Sequence, residues 1–178
     1  MSAKDVPVGK IPPQSLDAEK SLLGAVLIDD EVLADATEFV NAKDFYDKRH
    51  AIIFDAMMRL YEKHKPVDLL TLSDELTRKK ELETIGGSAY LSELTTYVPT
   101  AAHAASYADI VGQKAVRRRL IKASGEISEL GYDEDTTTQE LLEKAEAELF
   151  SVSDQSLKQD VVALESILTD SFDRMEEL

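Results

Sequence analysis

The chain has 178 residues with a net charge of −15, and it contains no cysteine and no tryptophan. The length suits one ordinary domain with an extension, and the lack of cysteine excludes disulfides, thiolate catalysis and cysteine-type zinc sites. Only 7 glycines and 5 prolines are present, too few turn residues for an all-β architecture, so the composition favours an all-α fold.

The N-terminal segment, residues 1–14, predicts a flexible arm. It holds three of the five prolines and lacks the apolar stretch of a secretory signal, so a cytoplasmic protein is expected. Ser15 is placed to cap the first helix, whose first turn contains Asp17 and Glu19. The acidic pair at 29–30 is expected to end that helix.

The strongest helical pattern of the first half covers residues 47–64 and ends before Pro66. His50 shares the face of Phe54 in this pattern, which predicts a partly buried core group. Asp47 and His50 also resemble half of a di-metal motif whose second copy is missing, so a metal site is not favoured. The apolar positions recur at steps of three and four: Ile53, Phe54, Met57, Leu60 and Tyr61.

Two shorter helices complete the first part of the chain. Asp68 or Thr71 starts the first of them, and its leucines Leu72 and Leu76 are expected to face inward. A turn at 86–87 follows, after which Ser88 caps a helix that ends before proline 99. Residues 15–100 therefore predict a compact helical head.

Two heptad-like seams follow, joined by the polar segment 131–138, in which Thr138 can cap the second helix. Seams joined by a short loop predict an αα-hairpin over residues 101–152. The seam positions that are predicted to form a hairpin interface are Val116, Leu120, Ala123, Ile127, Leu130, Leu142, Ala145 and Leu149. Further apolar residues lie off the seams and need cover from the head or from another chain: Ile110, Ile121, Leu141 and Phe150.

A basic cluster lies on the first hairpin helix, where Lys114, Arg118 and Lys122 share one stripe. Two interpretations stay open for this stripe: ion pairs with nearby carboxylates, or weak contact with a partner or with single-stranded DNA. The negative charge of the whole chain argues against strong DNA binding, which depends on cations at phosphates.

The last third of the chain is acidic, because residues 132–178 carry a net charge of −11. Residues 153–178 predict a polar linker and a final helix, which Asp160 can cap. The chain stops within or just after this helix without an end signal, so more protein is expected downstream. The apolar stripe of the helix is predicted to dock on another subunit: Leu164, Leu168, Phe172 and Met175.

Three stretches in order carry a family likeness. The first is IPPQSLDAEKSLLG at 11–24, the second is DFYDKRHAIIF at 44–54 followed by KPVD, and the third is YADIVGQKAVRRRLI at 107–121. The two glycines at 86–87, with a Tyr-Leu pair and a proline after them, fit the same pattern. Together these stretches resemble the N-terminal domain of the DnaB family of bacterial replicative helicases.

The resemblance implies a helical head followed by a hairpin. In that family the hairpins pair, three pairs form a ring collar, primase docks on the collar, and the linker helix docks on the motor domain of an adjacent subunit. ATP and magnesium belong to the motor domain, so no cofactor and no catalytic residue is expected here. The Gly9-Lys10 pair lacks the remainder of a Walker A loop.

Two rival interpretations assign the chain to other functional classes. The chain could be a free-standing acidic helical adaptor that dimerises and binds a basic protein, or a cryptic α-helical enzyme. A stop codon after Leu178 would favour the adaptor, and ATP hydrolysis by the chain would favour the enzyme.

Overall fold

The computed structural model describes residues 11–153, and within that range the chain is helical without strands, which confirms the all-α prediction. The predicted linker helix lies outside the described residues, and so do its docking positions Leu164, Leu168, Phe172 and Met175. The elements are α1 (Leu16–Ile28), α2 (Val32–Phe39), a 3-10 turn (Ala42–Asp44), α3 (Lys48–Glu62), α4 (Leu69–Arg78), α5 (Leu82–Ile85), α6 (Gly87–Thr95), α7 (Ala104–Leu130) and α8 (138–153).

Local side-chain caps start several of these helices. The Ser15 hydroxyl accepts a hydrogen bond from the Ala18 amide at the start of α1, as predicted. The Asp68 carboxylate accepts from two amides of α4, and Thr71 bonds back to the Asp68 amide to complete a capping box. These caps satisfy amides that a helix leaves without partners in its first turn.

Three details of the predicted elements are wrong. Tyr61 was expected on the buried face of α3, but it is 44% exposed. Its side chain is rotated by about 100° around the helix axis from that of the buried Leu60 and therefore lies at the border between the core and the solvent. Ser88 is no cap, since Gly86 turns the chain with φ 101° and α6 already begins at the next residue. Thr137, rather than Thr138, caps α8 and forms a capping box with Glu140.

The core of the head continues into the first half of α7, which packs against α1 and α2. Small residues allow close approach at two crossings. A β-carbon at Gly24 would clash with the carbonyl oxygen of Leu94, and one at Gly112 would stand 2.8 Å from the carbonyl oxygen of Phe39. Glycine at these positions lets the backbones of neighbouring helices touch.

The second half of α7 forms a hairpin with α8. Helix α7 has 27 residues and is therefore about 40 Å long. Lys144 and Glu148 of α8 line one cleft together with Glu126 and Leu130 of α7, so α8 runs back along the end of α7. Within residues 11–153, no helix is long and apolar enough to cross a membrane.

Candidate functional site

The hairpin presents large apolar side chains at its surface. Leu120 of α7 is 48% exposed, and Leu142 and Leu149 of α8 are 60% and 48% exposed. Exposed leucines at heptad spacing on both helices are typical of a surface that pairs with another helix. The structure thus leaves these three predicted interface residues available for contact with a second chain.

The other predicted interface positions are already partly covered within the single chain. Ala123 is buried, and four positions are half-buried: Val116, Ile127, Leu130 and Ala145. The small side chain of Ala123 therefore contributes to packing inside this chain. Pairing of the whole seam with a second chain stays a prediction.

Residues off the seams are also exposed. Ile121 and Phe150 are 57% and 68% exposed, and Ile110 is 40% exposed. Tyr132, in the turn at the hairpin tip, is 77% exposed and was not singled out from the sequence, because a lone tyrosine in a polar turn has no periodic pattern. The apolar surface of the hairpin is therefore wider than the heptad seams alone predict.

The basic stripe separates into members with different partners. The Arg118 guanidinium donates to the carbonyl oxygens of Pro13 and Asp44 and lies 5.8 Å from the centre of the Tyr46 ring. Its burial lowers the pKa of this guanidinium from its usual value. Lys122 pairs with Glu126 at 3.3 Å. Arg118 therefore joins α7 to the head and to the segment before α1.

Asp44 is the centre of the contact between the 3-10 turn and α7. Its carboxylate is buried, accepts a hydrogen bond from the Asn41 amide at 2.9 Å, and forms an ion pair with Arg119. Sequence reasoning did not find the Asp44–Arg119 pair, because 75 residues separate its members. The predicted stripe consisted of Lys114, Arg118 and Lys122, whereas the cation that pairs with the buried Asp44 carboxylate is Arg119, which lies off that stripe.

A buried polar network joins α1, α3 and α6. The Glu19 carboxylate accepts hydrogen bonds from the amides of Tyr46 and Asp47 and contacts His50 Nδ1 at 2.7 Å. His50 Nε2 lies 2.6 Å from the Tyr90 hydroxyl, and His50 is fully buried rather than partly buried as predicted. Both ring nitrogens have partners within the protein, so His50 acts as a structural link.

Cations and aromatic rings cover this network on the outside. The Arg49 guanidinium lies 4.7 Å from the centre of the Tyr90 ring, and Lys20 Nζ lies 5.2 Å from that of Tyr97. The Tyr97 hydroxyl donates to Asp17 at 2.7 Å, which raises the pKa of Tyr97, and burial raises that of Tyr90. The hydrogen bond to Asp17 and the burial of Tyr90 thus favour the uncharged phenols, against the opposite influence of the two cations.

A second charged cluster fastens α3 to α4. Glu75 is buried and accepts hydrogen bonds from Arg78, Lys63 and Arg59, the last two at 3.3 Å. The hydrogen bond from Arg78 is the main cause that lowers the pKa of the Glu75 carboxyl to about 2. Arg59 also bonds Glu81 at 2.7 Å. The cluster explains why a carboxylate stays charged in the core.

Comparison with known proteins identifies relatives of this chain. A family model described as the DnaB-like helicase N-terminal domain matches residues 11–113. The replicative DNA helicase DnaB of Leifsonia xyli is 41% identical over 94% of this chain, and that of Geobacillus stearothermophilus is 41% identical over 95%. The chain spans only 36% and 37% of the length of these relatives.

Solved structures with the same fold agree with this result. The crystal structure of the N-terminal domain of DnaB helicase from Mycobacterium tuberculosis is 40% identical with a TM-score of 0.76, covering 79% of this chain and 99% of that one. A structure described as a DnaB-like replicative helicase and its interactions with primase has a TM-score of 0.66 at 23% identity, covering 86% of this chain and 34% of that one. At that identity the second likeness supports the fold alone.

Proposed function

The chain belongs to the family of DnaB-like helicase N-terminal domains, and from this membership we propose that it works by assembly, without catalysis of its own. Its hairpin joins subunits in pairs, and three pairs close a collar around the ring of a replicative DNA helicase. The observation that carries the proposal is the exposure of Leu120, Leu142 and Leu149 on both helices of the hairpin.

The energy of such pairing follows from the exposed area. Full burial of a leucine side chain stabilises a protein by about 1.5–3 kcal/mol, so three leucines that are about half exposed offer roughly 2–4 kcal/mol. A two-fold symmetric interface contains the same patch from both chains, which doubles this contribution. The off-seam residues Ile121 and Phe150 add to it, so a hairpin dimer is the expected unit.

Further partners of the collar are proposed from the family. We infer that the collar offers a docking surface for DNA primase, because a helicase with the same fold is described together with its interactions with primase. We place ATP and magnesium in a motor domain outside this chain. The stripe Leu164, Leu168, Phe172 and Met175 is proposed to contact the motor domain of the adjacent subunit, and single-stranded DNA is expected to bind this chain weakly or not at all.

The experiment is sedimentation of Leu120→Asp beside the wild-type chain at several concentrations. A charge in the centre of the seam should shift the chain from dimer to monomer, while circular dichroism shows unchanged helix content. Leu70→Asp is the matched control, because Leu70 is 80% exposed on α4 in the head and away from the hairpin. An unchanged mass of Leu120→Asp would contradict the hairpin proposal, as would an equal effect of Leu70→Asp.

The acidic adaptor is the alternative that the net charge of −11 in residues 132–178 favours. The adaptor would form the same dimer, so the oligomeric state does not distinguish the two functions. A binding assay with purified primase distinguishes them, because the collar should bind primase and the adaptor should not. A reading frame that continues past codon 178 into a Walker A loop would support the collar independently.

A further inference from the structure

A basic cleft lies where the 3-10 turn meets α7. It has a volume of about 640 Å³, and four cationic side chains line it together with a single carboxylate. Lys43 comes from the 3-10 turn, Arg118, Arg119 and Lys122 come from α7, and the carboxylate is that of Asp44. Such a concentration of positive charge is unexpected on a chain whose net charge is −15.

The carboxylate in the cleft does not balance these cations. Asp44 already accepts from the Asn41 amide and from Arg119, and its carbonyl oxygen accepts from Arg118. Lys122 has Glu126 beside it on the exposed side of α7. Even with that pair counted as neutral, Lys43, Arg118 and Arg119 outweigh Asp44, and an excess of positive charge remains.

Arg119 has hydrogen-bonding capacity that the protein does not use. Its Nη1 bonds Asp44, but its Nε and Nη2 are buried and have no hydrogen-bond partner among residues 11–153. Buried donors without a partner are rare, and a guanidinium presents its donors as a planar fork that matches two oxygens of one oxyanion. The Arg119 side chain as a whole is 22% exposed, and it lines the cleft together with the exposed Lys43 and Lys122.

We propose that this cleft binds the phosphates of a small molecule, of the pyrophosphate or nucleoside diphosphate class. Arg119 is the anchor, and Lys43 and Lys122 neutralise the charge from the rim. A phosphate ligand suits the cleft better than a carboxylate, because it brings two or more negative charges on one compact group. The volume lies in the range of small-molecule sites, about 300–1,000 Å³, and leaves room for more than one phosphate.

The test is titration calorimetry of the 178-residue chain with pyrophosphate, with a nucleoside diphosphate and with inorganic phosphate, against sodium chloride at equal ionic strength. Pyrophosphate and the diphosphate should bind and raise the melting temperature, and inorganic phosphate should bind more weakly. Equal affinity for the first two would assign the binding to phosphates alone. Tighter binding of the nucleotide would add a contact with its base or sugar.

Variants connect the binding to the cleft. The double variant Lys43→Gln and Lys122→Gln changes only exposed side chains, and it should fold normally and bind at least about tenfold more weakly, since hydrogen bonds to charged groups are lost. Arg117→Gln is the control, because Arg117 is exposed on α7 outside the cleft, and it should bind as the wild type does. Arg119→Lys keeps the charge and loses the fork, so it should also weaken binding.

Three results would overturn the proposal. The first is that pyrophosphate and the nucleoside diphosphate show no binding beyond that of chloride. The second is wild-type affinity in the double lysine variant, a result that contradicts the proposal even if Arg119→Lys does not fold. The third is tight binding of a single-stranded oligonucleotide that pyrophosphate cannot displace. That result would assign the basic surface to nucleic acid instead.

Discussion

The acid stability of the head depends on Glu75, and the change to test is Glu75→Gln. The hydrogen bond from Arg78, followed by that from Lys63, holds the pKa of this carboxyl at about 2, below the ordinary 4.5. A difference of this size corresponds to about 3 kcal/mol. Although Glu75 has only 4% of its side chain exposed, Arg78 and Lys63 are 58% and 43% exposed, so water screens the interaction and about 1–2 kcal/mol is expected.

The sign of the pH dependence follows from the direction of the pKa change. The folded protein binds a proton at Glu75 less readily than the unfolded chain does, so acid favours unfolding. The stabilisation is fully present above about pH 5 and is lost as the pH falls from about 4.5 to about 2. Glu75→Gln cannot lose a charge there, and its free energy of unfolding should lack this acid-dependent component.

The assay is urea unfolding followed by circular dichroism, from about pH 7 to about pH 2.5. Glu75→Gln should be about 1–2 kcal/mol less stable than the wild type at neutral pH, and most of this difference should be lost at the acid end of the range. The control is Asp74→Asn, because Asp74 is exposed on the same helix and should show no such difference. A constant difference between Glu75→Gln and the wild type over the whole pH range would refute the reasoning.

Three further predictions concern packing, the buried network and a cap. Gly24→Ala should lower the free energy of unfolding by about 2 kcal/mol, because the added methyl group meets the backbone of α6. Gly125→Ala should raise it by about 1 kcal/mol, because a β-carbon at that helical position meets no other atom. Equal effects of the two substitutions in denaturant unfolding would contradict this contrast. Glu19→Ala leaves two backbone amides and His50 without their acceptor, so it should lower the free energy of unfolding by about 3–5 kcal/mol. Glu19→Gln should lower it clearly less. Similar losses of stability for the two variants in thermal unfolding would contradict the role of the network. Asp68→Ala should lower stability by about 1 kcal/mol through the lost cap, and an unchanged melting temperature would exclude that role.

The proposed hairpin seam and the basic cleft overlap along α7, because Leu120 falls between the cleft residues Arg119 and Lys122. Their side chains lie on different faces of the helix, since successive residues are rotated by about 100°. Leu120 and Arg119 are neighbours in sequence, yet one is an exposed apolar side chain and the other is bonded to Asp44. Variants of the two residues can therefore test the proposed assembly and the proposed phosphate binding separately.

The amino-acid sequence by itself determined the positions of the main helices and most of their starts. Ser15 and Asp68 cap helices because a short polar side chain reaches amides two or three residues later, a contact that needs no distant partner. The stripe with Ile53, Phe54 and Met57 likewise depends only on helical spacing, and all three residues are buried. Family membership was predicted too, because its motifs are ordered along the chain.

Only the tertiary structure decided which polar groups became buried partners. Glu19, His50 and Tyr90 meet because three helices cross, and nothing local distinguishes Glu19 from the other carboxylates of an acidic chain. Arg119 meets Asp44 across 75 residues for the same reason. Caps and periodicity depend on neighbours within a few residues, whereas loss of water depends on which distant elements cover a side chain, and that is determined by packing.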